Sequence, residues 1–217
     1  MKTNEELQKD VQDAIKWEPL LNAAEIGVTV KDGIVTLTGI VDSYAKKLEA
    51  QMAARNVIGV KAVIEQIEIQ IGISWRKTDA EIATETLNAF KWNWDLANDK
   101  IKVEVENGWV TLSGNLEWNY VKEAAQKSIT NLLGVKGVTN NIVIKSLTHD
   151  AIEKKDVESA LERNWTLQNK HIGVAVTGNR VTLTGSVHSL YQKDEASKIA
   201  WNAPGVWSVD NQLNIQY

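Results

Sequence analysis

The chain has no cysteine, two prolines, one phenylalanine and three histidines in 217 residues. Without cysteine there can be no disulfide staple, thiolate metal site or cysteine nucleophile. Neither sign of charge dominates: 24 Lys and Arg against 28 Asp and Glu leave a net −4. Divided by thirds, residues 1–75 carry 8 basic and 11 acidic side chains (−3), 76–146 carry 9 and 9 (0), and 147–217 carry 7 and 8 (−1). Because no third is basic, a nucleic-acid binder, whose affinity depends on a cationic face, is not expected. Purely electrostatic attraction to anionic lipid would be weak for the same reason. Uninterrupted apolar runs long enough to span a bilayer are missing. The opening MKTNEELQKDVQDAIKWEP spreads charge throughout and lacks the apolar stretch of a secretory signal. A cytoplasmic location is expected, or a periplasmic one if a leader has been removed.

What the sequence has instead is repetition. GIVTLTGIVDSY followed by GVKAVIEQIEI, GWVTLSGNLEWN followed by GVKGVTNNIVI, and NRVTLTGSVHSL followed by GVWSVDNQLNI are three versions of one unit. Gly39, Gly114 and Gly185 close the motif VTL[TS]G, and Gly59, Gly134 and Gly205 stand 20 positions later in each copy. The copies are offset by 75 and then 71 residues, a difference absorbed by short linkers near 71–78 and 145–149. The expected domains are therefore 1–71, 78–145 and 149–217.

Inside each copy, apolar residues alternate at Ile26, Val28 and Val30, at Ile101, Val103 and Val105, and at Ile172, Val174 and Val176, the period of a half-buried strand. Asp32-Gly33, Asn107-Gly108 and Gly178-Asn179 then supply hairpin turns, and Val35/Leu37, Val110/Leu112 and Val181/Leu183 line the return strand. A helix precedes the hairpin, opened by capping boxes at Thr3/Glu6 and Thr78/Glu81. A second helix follows it, with small inward residues at Ala50, Ala125 and Ala196, and ends at the glycine-valine pair before a last strand. The predicted fold class is α+β: three tandem αββαβ domains, each a three-stranded mixed sheet with two helices on one face.

This order, with VTL[TS]G and a 20-residue gap to GVxxVxNxL, resembles the BON domain, named for bacterial osmotically induced periplasmic and nodulation proteins. The likeness covers nearly the whole chain as three copies. It implies small αββαβ modules that bind phospholipid surfaces or mediate protein contacts in envelope maintenance and osmotic stress, without catalysis. The expected partners are accordingly a phospholipid membrane surface or an envelope protein, not nucleic acid, and a homo-oligomer stays open. The rival reading is a protein-interaction or stress-protective scaffold without lipid affinity.

Candidate residues follow from what differs between copies. The six motif glycines are expected to serve the backbone as strand ends and helix stops. Nine tryptophans are the compositional oddity. Trp17 and Trp92 are equivalent, as are Trp94 and Trp165, and these four are expected to be structural anchors at the end of the first helix. Trp109 stands where the other copies have Ile34 and Arg180, Trp118 where they have Ser43 and Ser189, Trp201 where they have Arg55 and Thr130, and Trp207 where they have Lys61 and Lys136; Trp75 is in a linker. These five are the candidates for lipid or partner binding, since an amphipathic ring suits a headgroup zone or a protein interface. His149, His171 and His188 fall at unrelated positions of the repeat, so neither a metal site nor a cofactor is expected. No nucleophile-base pair or phosphate-cradling loop is present, and the chain is not expected to be an enzyme.

Overall fold

The computed structural model describes residues 2–93, 96, 100–145, 152, 154–167 and 172–216. In the first repeat the order is α1 (Asn4–Trp17), β1 (Ile26–Lys31), β2 (Ile34–Val41), α2 (Tyr44–Asn56) and β3 (Ala62–Ile69). The second has α3 (Asp79–Trp92), β4 (Ile101–Glu106), β5 (Trp109–Leu116), α4 (Asn119–Thr130) and β6 (Gly137–Ile144). The third has α5 (Lys154–Arg163), β7 (Ile172–Thr177), β8 (Arg180–Val187), α6 (Leu190–Trp201), β9 (Ser208–Asn211) and β10 (Asn214–Ile215). This is the α+β architecture that the repeat predicts, αββαβ three times, with the last strand of the third copy in two pieces. Spatially the chain falls into two compact units, residues 1–38, 50–66 and 146–217 in one and 39–49 and 67–145 in the other.

The sheets are mixed. β4 runs antiparallel to β5, with Ile101 opposite Gly114 and Glu106 opposite Trp109, and β6 lies parallel to β5 on its other side. β7, β8 and β9 repeat that pattern, and β10 continues parallel to β8. Period-two alternation puts Val110 and Leu112, or Val181 and Leu183, wholly inside, while Trp109, Arg180 and their alternates face the open side. Against the inner face pack Ile82 and Phe90 of α3 with Ala125 and Ile129 of α4. In the third repeat Val157, Leu161, Ala196 and Ala200 close the same kind of core. The alanines leave no side chain to hold the second helix away from the strands.

Local chemistry fixes each joint. Both capping boxes form: Thr3 Oγ1 accepts from Glu6 N at 3.2 Å while Glu6 accepts from Thr3 N at 2.8 Å, and Thr78 and Glu81 do the same at 3.3 and 2.7 Å. The first residue of the helix also clamps the hairpin. Asp79 accepts from Asn107 N and Gly108 N, each at 2.8 Å, and Asn4 accepts from Asp32 N at 2.9 Å. The expectation that the first motif glycine ends its strand is corrected: Gly39, Gly114 and Gly185 each lie inside β2, β5 and β8, and Gly114, with φ 140° opposite the start of β4, sits where a Cβ would run into the Lys100 carbonyl oxygen, so no other residue fits there.

A second fastening ties the later helix to the last strand. Lys47, Lys122 and Lys193, equivalent in the three copies, donate their ammonium groups to the carbonyls of Ile67, Ile142 and Leu213 at 2.8, 2.7 and 2.7 Å. In return Asn140 Nδ2 donates to Lys122 O at 3.0 Å, and Asn211 Nδ2 to Lys193 O at 2.6 Å. Burial of Lys122 along this contact holds its pKa below the ordinary lysine value. The motif asparagine is thus a latch between helix and sheet. Asn211 further accepts from Leu213 N at 3.1 Å, at the point where the last strand of the third repeat is interrupted.

Candidate functional site

The helices end in tryptophan for a geometric reason. Leu7, Val11 and Ile15 form the inward stripe of α1, and Trp17, two residues past Ile15, points about 200° away from it. In α3 the inward stripe is Ile82, Thr86 and Phe90, and Trp92 has the same offset from Phe90. The third repeat places Arg163 at the equivalent position, and Asn164 turns the chain so that Trp165 opens a short 3₁₀ turn. As a result Trp17 is 84% exposed, Trp92 91% and Trp165 80%. The expectation that these residues anchor the core is therefore corrected: the end of the first helix turns each ring out to solvent. Trp94, expected as an anchor with them, lies outside the described residues, as do His149 and His171. A cation accompanies each exposed ring, Lys16 beside Trp17, Lys91 beside Trp92 and Arg163 two residues before Trp165, all of them exposed. Sequence reasoning missed these rings because it read repetition as burial; counting two residues on from the inward stripe would have found Trp17 and Trp92.

The five non-repeated tryptophans occupy different surroundings. Trp109, half-exposed on the open face of the sheet, donates Nε1–H to Thr139 Oγ1 at 2.8 Å. Its ring lies across Gly137, where a Cβ would come within 2.4 Å of it, so a glycine in β6 gives the indole its bed. The pairing Trp109 with Gly137 corresponds in the third repeat to Arg180 with Ser208, which are joined by a 3.1 Å hydrogen bond. Trp75 is exposed in a single 3₁₀ turn together with Ile73. Trp207 is partly exposed, whereas Trp201 rests on the core of the third repeat.

Trp118 is the N-cap residue of α4 and makes no side-chain capping bond. Ser189, its counterpart in the third repeat, accepts from Gln192 N at 3.2 Å. The topology fixes which elements end near Trp118. α3 ends where β4 begins, the start of β4 lies beside the end of β5, and β5 leads into α4. The end of α3 and the start of α4 therefore lie at one end of the second repeat. Lys145 joins them, its backbone N–H donating to Leu116 O at 2.7 Å, and Glu117 is held there by Lys100 at 3.1 Å.

Among the described residues no cluster of three histidine or acidic side chains could hold a metal ion, and no helix is long and apolar enough to cross a membrane. His188 accepts or donates at Nδ1 toward the Gln216 carbonyl at 2.8 Å, a contact that closes the end of its own repeat.

Comparison with known proteins is concentrated on the repeat. The BON domain matches residues 3–71, 78–146 and 149–217. No curated protein matches the chain. Among solved structures, two of CdsD, a structural protein of the type III secretion system of Chlamydia trachomatis, are 17% identical. One covers 96% of this chain and 91% of that one with a TM-score of 0.25, the other all of both with 0.26. The PrgH periplasmic domain is 9% identical over 94% of this chain and 99% of that one, with a TM-score of 0.23. Scores this low carry no argument about fold or function.

Proposed function

We propose, on the premise that this chain belongs to the BON domain family, that it is a non-enzymatic binding protein whose repeats contact phospholipid surfaces through exposed tryptophans at the ends of their first helices. The observation that supports this reading most is the exposure of Trp17, Trp92 and Trp165, each between 80% and 91%, with a cation close by in the chain. A solvent-facing indole beside a lysine or arginine has the composition of a membrane-interface anchor, where the ring enters the headgroup zone and the cation meets phosphate. Three such ends on one chain would add their contributions by effective concentration. Osmotic or stress protection and an envelope setting belong to the same reading.

The alternative, a scaffold that binds protein and not lipid, draws on the open sheet faces. Ile34, Ile64 and Trp109 leave flat, partly apolar strands uncovered by helix, and such surfaces suit a protein partner. Co-sedimentation with phosphatidylglycerol-containing and phosphatidylcholine vesicles separates the two readings. Lipid binding predicts pelleting with the anionic vesicles at low salt and a blue shift of tryptophan emission. A supernatant protein with unshifted emission supports the scaffold.

A further inference from the structure

We infer that the second repeat carries a site for a small soluble dianion of the phosphate-monoester class, in the cleft between its hairpin turn and the residues that lead into α3. The site is separate from the exposed tryptophans and does not depend on contact with lipid.

The cleft has a volume of about 530 Å³ and is lined in part by Gln70, Arg76, Asp79, Asn107, Gly108 and Lys136, all within one compact unit of the chain. That volume is in the range of small-molecule sites and leaves room for more than a bare phosphate. Its charges are unequally occupied. All three acidic side chains of α3 already have partners: Asp79 accepts from the amides of Asn107 and Gly108, Glu81 closes the capping box on Thr78, and Glu85 pairs with Lys77. The helix end itself is therefore closed and takes no part. Arg76 and Lys136 are both exposed, and among the described residues neither side chain has a partner. Two unspent cations in a cleft whose carboxylates are spent suit a ligand with two negative charges, and a guanidinium fork matches the oxygens of a phosphate. A phosphate monoester carries close to two charges at neutral pH. A phosphodiester carries only one.

The lysine is also held in place. Its backbone N–H donates to Gly108 O at 2.8 Å, and its stem lies across that glycine, where a Cβ would come within 3.3 Å of Lys136 Cγ. A stem already ordered loses less freedom on binding.

The sister repeats lack the combination. In the first, Lys61 matches Lys136, but Met1 stands at the position of Arg76 and Asp32 puts a carboxylate at that of Asn107. In the third, Trp207 replaces Lys136, and Asn179, at the position of Gly108, donates to the Gly205 carbonyl at 2.7 Å. Only the second repeat brings both cations to this cleft.

The test is equilibrium dialysis of the full chain at low salt with labelled glucose 6-phosphate, a monoester of fitting size, in competition with dimethyl phosphate or glucose. The inference predicts saturable binding at one site that weakens as salt is added. Glucose should not compete, and dimethyl phosphate should bind at least about tenfold more weakly. Arg76→Gln and Lys136→Gln should each lower affinity by about tenfold at unchanged Tm, while Lys61→Gln leaves it unaltered. No binding by the unaltered chain, equal competition by dimethyl phosphate, or full affinity in both cleft variants would each overturn the inference. None of these results bears on the lipid reading, which is decided by vesicles.

Discussion

At the residue scale, the three copies act as internal controls for one another. Thr86 is fully buried on α3 and its hydroxyl has no hydrogen-bond partner among the described residues, whereas the equivalent residues Val11 and Val157 are apolar. An unsatisfied buried hydroxyl costs about 1–3 kcal/mol, so Thr86→Val, which keeps the shape, should stabilise the second repeat by about 1–2 kcal/mol. Urea unfolding followed by a probe in that repeat measures it, and a destabilised variant would show that the hydroxyl has a partner in solution. The tryptophans illustrate the same control. Trp109 and Arg180 occupy one position and are served by different partners, Gly137 and Ser208, so substitution on one strand is matched by its neighbour.

At the scale of elements, the capping box of the second repeat gives the fold a pH dependence with a definite sign. Hydrogen bonds from the backbone and side chain of Thr78 hold the Glu81 carboxyl below the ordinary glutamate value. A carboxyl whose pKa is lower folded than unfolded contributes stability at pH above the unfolded value, and loses it as pH falls through the folded one. Wild type should therefore exceed Glu81→Gln in stability at neutral pH, and the gap should close in acid below the glutamate range. Thermal melts of both proteins across that range check it; a gap that widens in acid would contradict the assignment. Elements were also the best-read level of the sequence. Alternation at Val110 and Leu112, the turn pairs at 32–33, 107–108 and 178–179, and the boxes at Thr3 and Thr78 are local signals with local causes. The clamp of Asp79 on the hairpin and the latch between Lys122, Asn140 and Ile142 were not read, because each joins residues 18 to 29 positions apart. Only the equal spacing of Lys47, Lys122 and Lys193 hinted at a common role.

On the scale of the whole molecule, the architecture was legible because it is written three times, while the binding surface was legible only in part. Non-repetition pointed to Trp75, Trp109, Trp118, Trp201 and Trp207, and these range from an exposed linker turn to a ring resting on the third core. Among the described residues the most exposed tryptophans are Trp17, Trp92 and Trp165, the ones whose repetition reads as a structural anchor at the end of the first helix. Their position relative to the inward stripe is what decides, and it is the same for α1 and α3. On the proposed reading each outward-turned ring is a separate weak contact with lipid. The most direct measurement is equilibrium partition of the full chain to phosphatidylglycerol-containing vesicles, compared with Trp17→Ser/Trp92→Ser/Trp165→Ser at matched Tm. The account predicts that the wild type binds with blue-shifted emission and that the triple variant, equally stable, loses at least about tenfold in affinity. Equal binding by the two proteins, or none by either, would contradict it.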